Sequence, residues 1–579
     1  MKFAKTSLLM LLSATFLLAG CGAIEPSSSS ASSSDPSSSS TSSRADSFII
    51  TWANYDGTIL ETDYNVAPGD TPTFDGATPK KPTDDQYFYT WKGWDKAVVP
   101  ASKDETYTAT FDATDKTNFH FSLKLPVYSM WDVPEGTDAI YEFDYKDAYF
   151  SADNTVRDDN LGLLSLGLAG FNGTKPQIES FLEATQFTDV YHTPTYDTIA
   201  YRQIAYTLAK KDIGENDTIV ALTIRGFYYE KEMVGNFFLG ESGDHDDFTV
   251  QMHKVYDGLM NYISEKVPSG RNIKLWTVGY SRAAAVSNLL GKEISKKIAD
   301  QSITNLSANN LYFYCFETPK GADIEENGVY PFIHNYVNSR DIVTYIAPAG
   351  YGFKILGDSI DLYDENVADL LVKFNENLIL DEFKPYKISL DSQTYAIKIE
   401  EDPNGEKDLK KFIENTVTLA LKEKDSYDEV GDDLSTRAKF FKYIEKHLQF
   451  GADFVFGLTS VQIMSLAAKV MDMTTVLSLI GHLADEDPAE FVAMVEGIFN
   501  ECEITYEKEK MDAMLADLKI IAKPIVQDFM ISFFDPNQQT IVNHVATFIS
   551  NVKSAIVMHC LETTYVLLAN RVKNVAQAE

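Results

Sequence analysis

Cysteine is scarce in this chain, with four in 579 residues: Cys21, Cys315, Cys502 and Cys560. Cys21 belongs to an N-terminal motif; the other three are widely spaced and odd in number, so no disulfide framework is implied and at most one pair remains. No CxxC and no His/Cys cluster suggests structural zinc, and no metal or organic cofactor is expected. Positive charge is also thin, 50 Lys and Arg against 85 Asp and Glu, for a formal net charge of −35. Phosphate backbones are gripped by clustered Lys and Arg, so no nucleic-acid partner is expected. The same deficit argues against electrostatic docking on an anionic bilayer, and the excess acid serves solubility. Long apolar runs are missing after the N-terminus. The apolar uncharged stretch Phe454 to Ala468 falls short of the ~20 residues a membrane span requires. What the chain does have is 44% hydrophobic and 12% aromatic residues, enough for a large core. At ~150 residues per domain, two to four domains are expected.

The N-terminus reads as an address. MKFAK is basic, and SLLMLLSATFLLAG is apolar but too short and too early for a membrane span. It ends in Leu18-Ala19-Gly20-Cys21, which resembles a bacterial lipobox. That resemblance implies cleavage before Cys21, a diacylglyceryl group on its sulfur, and an extracytoplasmic protein held on the cell membrane. Several acyl chains anchor stably where one is marginal. The serine tract that follows, IEPSSSSASSSDPSSSSTSSRADS, cannot bury a core and reads as a flexible tether. About 25 such residues reach roughly 25–30 Å. The expected division is a signal over 1–20, a lipidated tether over 21–47, a β module over 48–115 and an α/β domain over 116–579.

In the β module, FIITWANYDGTILETDYNV holds two alternating runs around Asp56-Gly57, a hairpin signal. QYFYTWKGWD and ETYTATFDA are two further strand-like runs. The motifs Ile50-Thr51-Trp52, Tyr55-Asp56-Gly57-Thr58, Thr71-Pro72, Lys92-Gly93-Trp94-Asp95 and Tyr107-Thr108-Ala109-Thr110-Phe111 resemble a Listeria–Bacteroides (internalin B-type) repeat. The resemblance implies a β-grasp-like spacer of bacterial surface proteins and no chemistry.

From about Thr117 onward, apolar strand candidates alternate with helical stretches: TIVALTIRG, IKLWTVGY, LYFYCFETP and FIHNYVNSRD. Such alternation predicts a mostly parallel sheet covered on both faces. In LWTVGYSRAAAVSNLL, a strand pattern meets a helical one through Gly279-Tyr280-Ser281-Arg282-Ala283. This is the strand–turn–helix setting of a nucleophile elbow, G-x-S-x-G, with alanine in the last glycine's place. The bland alternative for Ser281 is a helix N-cap. A serine nucleophile needs a base and an orienting acid. Asp341, just after the strand in HNYVNSRDIVTYIAP, sits where a loop acid belongs. His559, in AIVMHCLETTYVLL, is the favoured base over His544; His447 and His482 lie in long helical stretches. The backbone N–H of Arg282, with one from Gly226 or Phe227 after TIVALTIRG, would form the oxyanion hole. Arg225 reads as a structural ion-pair residue, and His245, which precedes the serine, as a packing or hydrogen-bonding residue.

These stretches, ALTIRGFYYEKEMVGNFFLG, VGYSRAAAVSNLL, FYCFETPKGAD, YVNSRDIVTYIAP and HCLETTYVLL, resemble the class 3 (fungal-type) lipases of the α/β-hydrolases. The resemblance spans about Asp212 to the C-terminus. It implies ester hydrolysis by Ser281, Asp341 and His559 on an acyl-ester substrate, lipid among the candidates. Ala283, Arg282 and a long insertion over about 357–543 depart from the pattern. That insertion is rich in helical patterns and methionine. It reads as a helical cap with helix-to-helix cores, one face of which could line an acyl groove. YKISLDSQTYAIKIEED within it predicts a hairpin. The rival reading is a non-catalytic surface binding or adhesion protein on a hydrolase scaffold.

Overall fold

The computed structural model describes residues 47–579 apart from 85, 128–132, 135, 198–202, 227–234, 237, 346–351, 379–385, 391–396, 402–435, 460, most positions over 463–487, 521–556 and 579. Cys21 and the tether up to 46 therefore lie outside the described residues, as does His544. The chain divides into two compact units. One takes the described residues up to Phe121 together with Asp144–Ala148; the other takes Ser122–Phe143 and the described residues from Tyr149 on.

The smaller unit is built on four strands, β1 (Phe48–Ala53), β2 (Ile59–Val66), β3 (Tyr87–Trp94) and β4 (Glu105–Asp115), in the order β2-β1-β4-β3. The outer pairs are antiparallel and the central β1–β4 pair is parallel. Asp56-Gly57 turns β1 into β2: Gly57 adopts φ 84°, and the Asp56 carboxylate accepts the Thr58 N–H. Only glycine takes that φ without cost. The alternating inward residues Ile50 and Trp52 meet Tyr107, whose register opposite Trp52 stacks the two rings at 4.8 Å. Trp94 and Phe74 close the same cluster. With so few aliphatic residues inside, aromatic area supplies this small core.

A hairpin of β5 (Asn118–Pro126) and β6 (Asp138–Lys146) leads into the larger unit. Its sheet comprises β7 (Thr188–His192), β8 (Tyr206–Ile213), β9 (Asp217–Ile224), β10 (Asn272–Tyr280), β11 (Leu311–Phe316), β13 (Ile333–Val337) and β15 (Asp358–Asp361), in the order β15-β13-β11-β10-β9-β8-β7. The five strands from β15 to β9 run parallel, while β8 and β7 add on antiparallel. Two-residue strands β12 (Ala322–Asp323) and β14 (Phe353–Lys354) pair beside the sheet.

Parallel strands covered on both faces read as continuous apolar runs, and all six residues of β11 are buried. On one face, Leu275 and Phe313 pack with α3 (Asp246–Lys266) and α4 (Arg282–Ala299). Alternation sends Trp276 to the other face, where its indole N–H donates to Ser165 of α1 (Asp159–Gly170). Nine of the twelve residues of α1 are buried. Its glycines are needed there: a Cβ on Gly162 or Gly167 would collide with Tyr336 or with Phe143 and Phe181. The short helix α2 (Lys175–Ala184) and the terminal helix α8 (Leu561–Ala578) complete that side. The sequence expectation of an α/β fold with a mostly parallel sheet is met.

Between the β15 end of the sheet and α8 come α5 (Val367–Phe374), the antiparallel pair β16 (Tyr386–Leu390) and β17 (Ile397–Glu401), α6 (Thr436–Gly457) and α7 (Pro488–Glu501). The hairpin read from YKISLDSQTYAIKIEED is present. A separate apolar cluster brings Phe491 and Phe499 of α7 together with Leu458, Met511 and Leu515, and Phe450 and Phe454 of α6 pack against it. Cys315, Cys502 and Cys560 are buried, and none is in a disulfide among the described residues. Among the described residues, no helix is long and apolar enough to cross a membrane, and no group of three or more His, Cys, Asp or Glu could hold a metal ion.

Candidate active site

Ser281 stands at the junction of β10 and α4 with φ 58° and ψ −133°. A non-glycine residue held there stores strain of roughly 1–3 kcal/mol. Neighbouring contacts hold it: Ser281 N–H donates to the Phe316 carbonyl, and the Ser281 carbonyl accepts from Ala284. Ser281 does stand at the N-cap position of α4, but its side chain makes no helix-capping bond there. The tightness of the turn explains its small residues. A Cβ on Gly279 would lie 2.5 Å from the Ala283 carbonyl oxygen, and Ala283 is itself buried. Alanine therefore fits where the motif has glycine.

The chain brings Ser281, His559 and Asp341 together from three distant segments. His559 Nε2 lies 2.9 Å from Ser281 Oγ, and His559 Nδ1 lies 2.5 Å from Asp341 Oδ2. Asp341 is fully buried after β13, and its other oxygen accepts the Val343 N–H at 2.8 Å. His559 occupies the turn before α8, partly open at its ring. The geometry requires the tautomer with a proton on Nδ1 and a lone pair facing the serine. His447 and His482 lie elsewhere, facing Asp517 and Glu490.

Gly226, the second residue of the loop after β9, lies against the elbow. A Cβ there would meet the Tyr280 carbonyl oxygen at 2.2 Å, so only glycine allows the approach. Arg282 is the first residue of α4, where helix N–H groups lack intrahelical acceptors. Phe227 lies outside the described residues. Arg225 reaches the Tyr196 carbonyl and packs over the Tyr196 ring, while His245 accepts the Phe248 N–H at the start of α3 and stacks on that ring. For His245 this is the packing and hydrogen-bonding role that the sequence suggests, whereas Arg225 reaches a carbonyl and a ring.

Several supporting residues escaped the sequence reading. Arg282 carries a buried ion pair, its Nη2 2.7 Å from Asp247 Oδ2, with both side chains almost wholly excluded from water. Burial pushes the Asp247 carboxyl up, but the Arg282 guanidinium and the Gln251 amide outweigh it and hold it below the ordinary value. Asn338 donates its amide to the Met558 carbonyl and so ties the acid loop to the histidine turn. The Tyr280 hydroxyl, 2.9 Å from the His559 carbonyl and 2.8 Å from the Thr564 hydroxyl, fixes that turn from the elbow side. Burial, the largest cause, holds this phenol protonated well past its usual range. Polar residues at the ends of apolar runs (Asn338 after IHNYV, Glu317 after LYFYCF) are the sequence signal for such supports.

No family model matches the chain, and no curated protein does. Among solved structures, similar chains include a Rhizomucor miehei lipase propeptide complex (18% identity, 36% of this chain, 68% of that one, TM-score 0.28). They also include a lipase from Rhizopus microsporus var. chinensis (14%, 40% and 81%, TM-score 0.28) and lipase II from Rhizopus niveus (14%, 35% and 79%, TM-score 0.27). Identities this low bear on fold alone, and the α/β layering stands on the sheet and helices described above.

Proposed function

We propose that this chain is a cell-surface serine ester hydrolase, lipase-like, that cleaves acyl esters through an acyl-enzyme. The observation that carries the reading is the unbroken hydrogen-bonded line from Ser281 through His559 to buried Asp341, with the serine on a strained elbow. Ser281 Oγ attacks the ester carbonyl as His559 Nε2 takes its proton. Asp341 holds Nδ1–H and stabilises the imidazolium that forms. The oxyanion meets the N–H of Arg282 and one from Gly226 or Phe227; each such donor contributes about 10²–10³ in rate. His559 then returns the proton to the leaving alkoxide. A water, deprotonated in its turn by His559, releases the acid. No step of this sequence calls for a metal or cofactor.

The lipobox resemblance at Cys21 and the serine tract support anchoring outside the cytoplasm. The Listeria–Bacteroides-type motifs support a β spacer over 48–115 between tether and enzyme. The helical stretches within about 357–543 support a cap over the acyl side of the site. The test is a series of p-nitrophenyl esters of increasing acyl length given to the wild type and Ser281→Ala. Turnover in the wild type alone is expected. Equal rates in both would refute the assignment, and hydrolysis of no ester by the wild type would favour the scaffold reading.

A further inference from the structure

Beside Asp341 lies a second carboxyl group that the mechanism above does not use. Glu317 follows β11 directly, has no exposure to solvent and takes φ 47°, a costly backbone for any residue with a Cβ. Its Oε2 accepts the Asn338 N–H at 2.8 Å, and its Oε1 accepts the Thr564 hydroxyl at 2.9 Å. Asn338 bridges the two acids: its N–H donates to Glu317, and its carbonyl accepts the Asp341 N–H at 2.9 Å. Among the described residues Glu317 forms no ion pair. The nearby cations go elsewhere: Arg340 stacks on Tyr363, and Lys320 reaches the Thr344 carbonyl. The other titratable groups around the network are Tyr280, Cys560 and, across Asp341, His559.

We propose that Glu317 is a positioning residue for the Ser281–His559–Asp341 line, an uncharged carboxylic acid that donates its proton in a hydrogen bond to the Asp341 carboxylate. Two fully buried carboxyl groups bridged by one residue, with no cation between them, do not both stay ionised, so the pair holds one proton. Asp341 already engages the imidazole, which leaves that proton on Glu317. Burial is the main force raising the Glu317 carboxyl well above its usual value, and the Asp341 charge adds to it; the two hydrogen bonds received oppose it without prevailing. The consequence is mechanical and electrostatic. Asp341 is held from a second side, and the imidazolium formed during attack faces one negative charge instead of two. This role rests on the hydrolase reading, whereas the proton itself does not.

The experiment is infrared spectroscopy of the purified protein at pH 8, with Glu317→Gln and Glu317→Leu beside the wild type and fluorophosphonate labelling rates measured on the same samples. The expected result is a protonated-carboxyl stretch in the wild type that E317Q abolishes. Labelling should stay within about threefold in E317Q, whose amide still donates, and slow about tenfold or more in E317L, the loss of one hydrogen bond's free energy. No protonated band at pH 8, or a band unchanged in E317Q, overturns the proposal. Equal slowing in folded E317Q and E317L overturns the positioning role. A wild type that never labels refutes the hydrolase reading instead, and the infrared band then decides alone on the Glu317 proton.

Discussion

Two histidine–aspartate pairs in this molecule have almost the same contact distance and very different surroundings. His559 meets Asp341 at 2.5 Å, and His447 of α6 meets Asp517 at 2.6 Å. Asp341 is fully buried and sees a serine through the imidazole; Asp517 is one-third exposed and also binds Lys446 at 2.6 Å. Burial pushes the Asp517 carboxyl up, but its bonds to Lys446 and His447 prevail and lower it, as in any surface ion pair. An imidazole beside a carboxylate is thus no sign of catalysis by itself. What separates the two pairs is the third partner, the exclusion of water from the acid, and the strained turn that aims the serine.

The largest effects should break this comparison outright. His559→Ala or Asp341→Asn should lower ester turnover about 10⁴-fold, whereas His447→Ala should leave it unchanged in steady-state assays. A comparable loss in folded His447→Ala would mean that the wrong pair has been chosen. Next comes Gly226→Ala. Its methyl would meet the Tyr280 carbonyl, so the loop must shift, and a displacement of about 1 Å costs on the order of 10²-fold in kcat/KM. Asp247→Ala strands the buried Arg282 guanidinium, and chemical denaturation should report a loss of about 3–5 kcal/mol.

A smaller, pH-dependent effect sharpens the contrast in acids. Glu317 keeps its proton when folded and loses it above the ordinary value of 4.5 when unfolded. Wild-type stability should therefore fall relative to E317Q as pH rises from that value towards the raised folded one, by about 1.4 kcal/mol per pH unit. Parallel stability–pH curves for the two proteins would contradict an uncharged Glu317. Asp517 has the opposite sign. Its contribution is present above the ordinary carboxylate value and disappears as pH falls through the lowered one, and Asp517→Asn should change stability by less than about 1 kcal/mol at neutral pH.

Much of the α/β layer was legible because buried parallel strands announce themselves. LYFYCF is a continuous apolar run, TIVALTIRG, IKLWTVGY and IHNYV are mostly apolar ones, and each supplies a strand of the sheet. Ser281, Asp341 and His559 stood out because each sits where an apolar run gives way to a turn or helix. Their supports were harder to see. Nothing local in DDFTVQ marks Asp247 as the partner of Arg282, and Glu317 reads as an ordinary strand-end acid until Asp341 lies beside it. Those relations exist only after long-range pairing of β10, β11 and β13. Helix α1 also escaped the reading: buried on every side, it lacks the one-faced pattern by which helices are found.

The most direct measurement is to label the protein with a fluorophosphonate, locate the adduct by mass spectrometry, and repeat the reaction on His559→Ala and His447→Ala. An adduct on Ser281 that vanishes with His559 and persists without His447 is the predicted result. Folded wild-type protein with no adduct, or with one on any other residue, would contradict the assignment of Ser281 and His559 as nucleophile and base.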